Sequence, residues 1–124
     1  MQINVKRVYD NMEESDGYRV LVDRLWPRGM KKEDIIMDEW AKEIAPSSNL
    51  RKAFQHKSEL FAEFREKYQE ELMNDKSKQD KLKALLKIAE TKSVTLLFAA
   101  KNREFNQAQV LRELLMNMAE DGSN

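Results

Sequence analysis

Two apolar segments, far apart in the chain, most constrain how it can fold. Residues 18–23 have the sequence YRVLVD and residues 94–100 have the sequence VTLLFAA. Such runs of consecutive aliphatic and aromatic residues are typical of strands that are covered on both faces. Helical patterns lie between the two segments. The chain therefore predicts an α/β sheet in which these two strands lie parallel and are joined by a right-handed crossover.

Apolar residues recur at helical spacing in residues 58–73, 80–90 and 106–120, with charged residues on the remaining surface. Ser77 and Asp80 resemble a capping box at the start of the second of these helices. Ser47 or Ser48 can serve as the N-cap of a further helix over residues 49–54. Residues 35–45 fit a strand or a short helix equally well, and residues from about 120 to 124 are predicted to form a disordered tail.

The N-terminal segment predicts one more strand. Residues 2–9 alternate in the manner of a half-buried strand. The polar link at residues 10–17 is shorter than the dozen or so residues that a parallel crossover normally needs. The first two strands are therefore expected to be antiparallel neighbours or not to pair directly. The overall prediction is one α/β domain over residues 1–124, a sheet with a parallel strand pair and an antiparallel N-terminal strand, covered by helices.

Charge and cysteine content narrow the classes of function. The 22 basic and 22 acidic residues cancel, so the chain as a whole has no field that draws it to nucleic acid or to a membrane. Cysteine is absent and there is one histidine, which excludes a thiol nucleophile and argues against a zinc site. The charged N-terminus and the lack of a long apolar run predict a cytoplasmic protein without a membrane segment. We expect neither a metal nor a cofactor.

Basic residues concentrate in two loops that follow the apolar strands. Residues 24–32 and 101–105 contain six basic residues and one acidic residue. Ligands of open α/β sheets bind beyond the carboxyl ends of parallel strands. Asn106 is a predicted N-cap, and the free amides of the helix that it opens favour an anion. Arg24, Arg28, Lys101 and Asn106 are therefore candidate ligands of a phosphate or carboxylate group. The alternative is that the cations are solvated strand ends and that Asn106 only caps a helix.

Three further residues are candidates, each with a structural alternative. Asp23 ends a strand and could act as a base or orient an arginine, although buried carboxylates more often form structural pairs. Trp26 could stack on a planar ligand or fill the edge of the core. His56 is the chain's single histidine, the residue type that most often exchanges protons near neutral pH, but no nucleophile motif accompanies it.

Three sequence strings resemble the YeaO-like family, domain of unknown function 488. They are GYRVLVDRLWPRG at 17–29, DEWAKEIAPS at 38–47 and TLLFAAKNREFNQAQVL at 95–111, and the resemblance runs from about residue 6 to residue 115. It implies a small bacterial α/β protein and no particular activity. It highlights the loop residues already named and adds Arg7 to the ligand-binding candidates; it also highlights Pro27, Gly29, Trp40, Lys42 and Ser47.

The chain departs from the wider family at two cysteine segments. Members of that family carry Cys-Ala-Glu in place of Ala99, Ala100 and Lys101, and Cys-His-Arg near Asn106, and this chain has neither. Thiol chemistry is therefore excluded. Close relatives also carry tyrosine where Phe98 stands, so a phenolic catalytic role is not expected.

We expect the protein to bind a small molecule bearing a phosphate or carboxylate, such as a nucleotide or a sugar phosphate. The sequence leaves open whether it is an enzyme, in which case Asp23 or His56 would move a proton. One alternative is nucleic-acid binding by the same loops, with Trp26 on a base, which the neutral charge balance disfavours. The other is a non-catalytic interaction module formed by the helices of 58–90. The oligomeric state is not indicated.

Overall fold

A computed structural model describes residues 1–122 of the chain. Within them lie four strands: β1 (Ile3–Arg7), β2 (Tyr18–Leu21), β3 (Glu39–Trp40) and β4 (Val94–Phe98). The same residues form four α-helices: α1 (Ser48–Phe54), α2 (Phe61–Met73), α3 (Lys76–Ala89) and α4 (Gln107–Gly122). Short 3-10 turns occur at Glu14–Asp16, Lys32–Asp34, Lys42–Ile44 and Ser58–Leu60. The predicted α/β class is thereby confirmed.

The strands form one sheet in the order β1, β4, β2, β3, and all neighbouring pairs are parallel. The prediction of an antiparallel N-terminal strand is therefore wrong. β4 lies between β1 and β2. The first two strands therefore do not pair directly, which is the second of the two arrangements expected from the short link. The link from β1 to β2 has ten residues, 8–17. Ten residues span up to about 33 Å, about twice the length of a five-residue strand, so the chain returns without a helix.

Buried charge holds this return segment against the sheet. The Asp16 carboxylate lies 3.2 Å from the Lys6 Nζ and forms an ion pair with Arg19. The Thr95 hydroxyl donates to the Asp16 carbonyl at 2.7 Å. Lys6, Arg19 and Thr95 belong to β1, β2 and β4, and the register of the strands places them on one face of the sheet. The segment at residues 8–17 therefore covers that face.

The helices pack on the opposite face. Val94, Leu96 and Phe98 of β4 belong to the core cluster that the helices share, whereas the intervening Thr95 and Leu97 do not. The alternation along a strand places these two sets on opposite sides of the sheet. Helices therefore cover one face and loops cover the other. The helical part of this core includes Tyr68, Leu72, Leu82, Leu85, Leu111 and Leu115.

Several element boundaries differ from the sequence-based expectations. The ambiguous segment at 35–45 contains both a two-residue strand, β3, and a 3-10 turn at Lys42–Ile44. Helix α3 begins before Ser77, because the Asp75 carboxylate accepts the amides of Ser77 and Lys78 and caps it. Ser47 caps α1 as predicted, accepting the amide of Leu50 at 3.2 Å.

The C-terminal end of the described chain is helical. Helix α4 continues through Gly122, and the last two residues of the predicted tail, 123 and 124, lie outside the described residues. Of the helices in residues 1–122, none is both long enough and apolar enough to cross a bilayer.

Candidate functional site

A cavity of about 330 Å³ opens at the carboxyl edge of the sheet. The segments that leave β1, β2 and β4 form one side of it, and α1, α2 and the first residue of α4 form the other. This is the edge at which open α/β sheets bind their ligands. The lining residues are Tyr9, Asp23, Arg24, Leu25, Trp26, Pro27, Arg28, Pro46, Arg51, Phe54, His56, Phe64, Ala99, Ala100 and Gln107.

Asp23 joins the elements that meet at the cavity. Its carboxylate accepts the Ala99 amide at 2.9 Å and the side-chain amide of Gln107. Its backbone carbonyl accepts the Trp40 indole N–H at 2.7 Å. Burial raises the pKa of Asp23 to about 6, against the opposing effects of these hydrogen bonds to the carboxylate and of the Arg51 charge. Asp23 is thus both a structural acceptor and a group that changes charge near neutral pH.

Three arginines line the same cavity. Arg24 and Arg28 are exposed and Arg51 is half-buried. In the described part of the chain, their guanidinium groups make no hydrogen bond and no ion pair. Asp23 is the single carboxylate among the described lining residues. Three cations and one weakly acidic group therefore give the cavity a positive potential that favours an anion.

Hydrogen bonds fasten the loop that carries Arg24 and Arg28. The Trp26 indole N–H donates to the Met30 carbonyl at 2.6 Å, which closes the loop on itself. The Tyr9 hydroxyl donates to the Arg28 carbonyl at 2.9 Å. The ring of Trp26 also packs edge-on against Trp40, with 5.3 Å between ring centroids. The fold therefore sets the backbone of the loop from which the two arginine side chains extend.

The structure brings five of the predicted site residues to the cavity: Asp23, Arg24, Trp26, Arg28 and His56. His56 is placed there by the end of α1, where Gln55 (φ 51°) and His56 (φ 56°) both adopt the left-handed conformation. This conformation is uncommon for residues other than glycine. The two residues turn the chain sharply, and the His56 ring lies 5.7 Å from the ring of Phe54.

The other three predicted site residues do not line the cavity. Arg7 is engaged with the backbone, because its guanidinium donates to the carbonyls of Ala99 at 3.0 Å and Ala100 at 2.9 Å. It therefore braces the segment that follows β4, where Ala99 and Ala100 line the cavity. Lys101 is exposed to solvent beyond the lining.

Asn106 is buried and acts as a cap. Its side-chain oxygen accepts the Gln109 amide at 3.1 Å, and its side-chain nitrogen donates to the Asn102 carbonyl at 2.9 Å. Both polar atoms are thus used within the protein. Gln107, the next residue along, is the part of α4 that reaches the cavity and Asp23.

Sequence reasoning missed Arg51, Gln107 and Tyr9. Arg51 lies beside Lys52 in a short helix, and the sequence does not distinguish which of these two cations turns inward. Gln107 follows the predicted cap directly, so the helix N-terminus argument could have included it. Within residues 1–122, no three His, Cys, Asp or Glu side chains converge in the manner of a metal site.

Comparison with known proteins places the chain among relatives of the same length. A family model described as "Inactive DUF488-N3 subclade" matches residues 2–123. The uncharacterised protein YeaO of Escherichia coli K12 is 51% identical over 118 residues, which is 95% of this chain and 100% of YeaO. The uncharacterised proteins Mb3100c of Mycobacterium bovis and Rv3073c of Mycobacterium tuberculosis are 40% identical over 114 residues, which is 92% of this chain and 93% of each. No solved structure matches significantly. The chain therefore belongs to the YeaO-like DUF488 family, as the motifs implied.

Proposed function

We propose that the protein binds a small molecule bearing a phosphate or carboxylate group in the cavity at the carboxyl edge of its sheet. The observation that carries the proposal is that three arginines, Arg24, Arg28 and Arg51, line one cavity and that their guanidinium groups form no hydrogen bond or ion pair among the described residues. Cations gathered in a concave site raise its potential and favour the binding of an anion. Arginine also binds two oxygens at once through its planar fork, which suits both anionic groups.

The hydrogen bonds around the cavity support a preformed site. Tyr9 and Trp26 fasten the loop of Arg24 and Arg28, and Arg7 braces the segment that follows β4. A preformed site loses little conformational entropy when a ligand binds. In this proposal Arg7 and Asn106 are supports rather than ligand contacts, and Lys101 lies outside the contact set.

Two observations favour binding over catalysis. The family model that matches this chain is described as an inactive subclade, and the chain has no cysteine to act as a nucleophile. Asp23 and His56 are the lining residues that could transfer a proton if the protein were an enzyme. Substitution of either residue would then lower turnover. We place the protein in the cytoplasm, where phosphorylated and carboxylated metabolites are available as ligands.

The proposal is tested by thermal denaturation with a panel of anions: inorganic phosphate, ribose 5-phosphate, nucleoside monophosphates and small dicarboxylates. A ligand at a hundred times its dissociation constant stabilises the folded protein by about 2.7 kcal/mol. We expect at least one of these anions to raise the melting temperature. We also expect Arg51→Ala to weaken its binding about tenfold or more, because a hydrogen bond to a charged group contributes roughly 1.5–3 kcal/mol.

Lys52→Ala is the matched control, because Lys52 is the next residue of α1, is exposed and does not line the cavity. It is expected to bind as the wild type does. The proposal is overturned if no anion stabilises the protein, or if Arg51→Ala and Lys52→Ala weaken binding equally.

A short single-stranded RNA belongs in the same panel. Nucleic-acid binding through phosphates weakens steeply with salt and strengthens with the length of the strand. The small-molecule proposal expects no gain in affinity from a mononucleotide to a longer strand. An affinity that grows with strand length and falls steeply with salt would assign the arginines to nucleic acid instead.

A further inference from the structure

The cavity that holds the three arginines is also lined by aromatic side chains from two sides. Tyr9 and Trp26 come from the segments after β1 and β2, while Phe54 and His56 come from α1 and the turn that ends it. We infer that the bound anion is joined to a flat ring, so that the ligand is a nucleoside monophosphate or a molecule of the same build. This inference rests on the proposed function, because the ring and the anion share one cavity.

The polar atoms of the two loop-side rings are already occupied. The Trp26 indole N–H donates to the Met30 carbonyl, and the Tyr9 hydroxyl donates to the Arg28 carbonyl. What these side chains still offer a ligand is ring surface, which contributes stacking and not hydrogen bonds. Stacking on aromatic side chains contributes substantially to the binding of nucleic-acid bases and tolerates any base, because every base has a flat face.

These rings are also held in place. Trp26 packs against Trp40 at 5.3 Å between centroids, and the Arg7 guanidinium lies 4.7 Å from the centre of the Tyr9 ring. Phe54 stacks on Phe64 at 4.3 Å with 17° between the ring planes. Rings with fixed positions lose little freedom on binding, so their contact area contributes to affinity at low entropic cost.

The Asp23 carboxylate in the cavity can still accept hydrogen bonds from a ligand. Each Asp23 oxygen accepts one hydrogen bond, from Ala99 or from Gln107, whereas a carboxylate has about four acceptor positions. A ribose hydroxyl or an amino group of a ring can donate to the positions that remain. A plain aromatic carboxylate lacks such a donor, which favours a ring joined to a sugar phosphate.

The size of the cavity limits the ligand to one such unit. Its volume of about 330 Å³ lies at the lower end of the roughly 300–1,000 Å³ found for small-molecule pockets. One ring, one sugar and one phosphate group suit that space. A dinucleotide would extend beyond it into solvent and gain no further enclosed contact.

Tryptophan fluorescence tests this inference directly. The chain has two tryptophans, so the Trp40→Phe variant leaves Trp26, which lines the cavity, as its single reporter. This variant is titrated with adenosine, guanosine, cytidine and uridine monophosphates and, separately, with ribose 5-phosphate. We expect at least one nucleoside monophosphate to quench the Trp26 emission and to bind at least tenfold more tightly than ribose 5-phosphate, which should cause no quenching.

A second variant separates stacking from anion binding. Trp26→Leu removes both the ring and the indole hydrogen bond to Met30. It is expected to lower nucleoside monophosphate affinity about tenfold more than it lowers ribose 5-phosphate affinity, because only the former ligand has a ring to stack. Should Trp26→Leu fail to fold by circular dichroism, the quenching titration in the Trp40→Phe background decides alone.

The possible outcomes separate the inference about the ring from the proposed function on which it rests. Equal affinities for ribose 5-phosphate and every nucleoside monophosphate would overturn the ring inference and leave anion binding intact. Tighter binding of a dinucleotide than of its mononucleotide would overturn the size limit. Binding of none of these ligands would overturn the inference, and the proposed function would fall as well if inorganic phosphate and the dicarboxylates also failed to bind.

Discussion

Asp23 lies in a cavity with three arginines, and yet burial raises the pKa of its carboxyl group to about 6. Loss of water around the carboxylate thus outweighs the hydrogen bonds from Ala99 and Gln107 and the positive charge of Arg51. The consequence is that the net charge of the cavity changes in a physiological range of pH. Below pH 6 Asp23 is mostly neutral, and the arginines are then opposed by no negative charge among the described lining residues.

Anion affinity is therefore expected to depend on pH. Protonation of Asp23 removes a negative charge from the cavity, so the affinity for an anion should rise severalfold between pH 7.5 and pH 5. The probe should be sulfate, because a phosphate monoester itself titrates near pH 6. Calorimetric titrations would measure the effect, and Asp23→Asn should flatten the profile. His56→Gln is the control for the histidine that shares the cavity, and it should leave most of the Asp23 effect. An unchanged profile in Asp23→Asn would refute this role.

The same carboxyl group links pH to stability. The pKa of about 6 in the folded protein exceeds the ordinary value of 3.8, so the folded state holds the proton more tightly than the unfolded state. The contribution of Asp23 to stability is therefore greatest below pH 4 and is lost as the pH rises through 6. Asp23→Asn should raise the free energy of unfolding at pH 8 by about 1–3 kcal/mol and should give no such gain at pH 4.

Urea unfolding at the two pH values measures this difference. Asp80→Asn, an exposed site on α3, is the control and should change stability little at either pH. An Asp23→Asn protein that is no more stable than the wild type at pH 8 would contradict the argument.

At the scale of elements, the return from β1 to β2 is the least ordinary part of the fold, because a parallel connection here has no helix. It depends on the buried cluster of Lys6, Asp16 and Arg19. Removing one partner of a buried ion pair leaves an uncompensated charge, which costs about 3–5 kcal/mol. Asp16→Ala should therefore destabilise the protein by about that amount, as measured by urea unfolding.

Glu13 provides the matched comparison in the same segment. Its carboxylate also pairs with Lys6, at 3.0 Å, but its side chain is 68% exposed. An exposed pair contributes about 0–1 kcal/mol, so Glu13→Ala should cost about 1 kcal/mol or less. Equal losses for Asp16→Ala and Glu13→Ala would show that burial of the cluster is not what secures the return.

Hydrophobic patterning predicts elements because it records which residues are buried. That is why β2, β4 and the periodic helices α2 and α4 agree with the sequence-based expectation. It carries no record of strand direction, so the orientation of β1 had to be inferred from loop length. The inference was wrong because a short extended segment is long enough to run back along a five-residue strand. Strand β3 has only two residues, Glu39 and Trp40, too few to produce a period.

The sequence predicts those residues of the site that directly follow a recognisable strand. Asp23, Arg24, Trp26 and Arg28 follow an obvious buried strand, and they line the cavity. Arg51 does not follow a strand, because the packing of α1 brings it there. Lys101 follows β4 but is exposed beyond the lining, since proximity to a strand end in sequence does not set the direction of a side chain.

At the scale of the whole molecule, a chain with 22 basic and 22 acidic residues has a positive cavity because three arginines but only one carboxylate, Asp23, are among its described lining residues. Glu113 pairs with Arg65, and Asp10 pairs with Arg103 through two hydrogen bonds of 2.8 Å. Glu39 pairs with Lys81. These ion pairs lie outside the cavity, and each joins one acidic group to one basic group, so they leave the charge of the cavity arginines unchanged.

Salt should therefore act differently on folding and on binding. Raising sodium chloride from 50 to 500 mM shortens the distance over which charges interact from roughly 14 Å to roughly 4 Å. The exposed ion pairs contribute about 0–1 kcal/mol each. The ion-pair cluster at Asp16 is buried, so salt screens it much less. We expect the free energy of unfolding of the unliganded protein to change by no more than about 1 kcal/mol, while anion affinity falls severalfold.

Urea unfolding and calorimetric titration at the two salt concentrations separate these quantities. Arg51→Ala should reduce the salt dependence of binding, because one fewer cation then attracts the ligand, and should leave the salt dependence of unfolding unchanged. An anion affinity that does not respond to salt would mean that the arginines are not what attracts it. A large loss of stability with salt would mean instead that the ion pairs outside the cavity, and not the apolar core shared by the sheet and the helices, hold the molecule together.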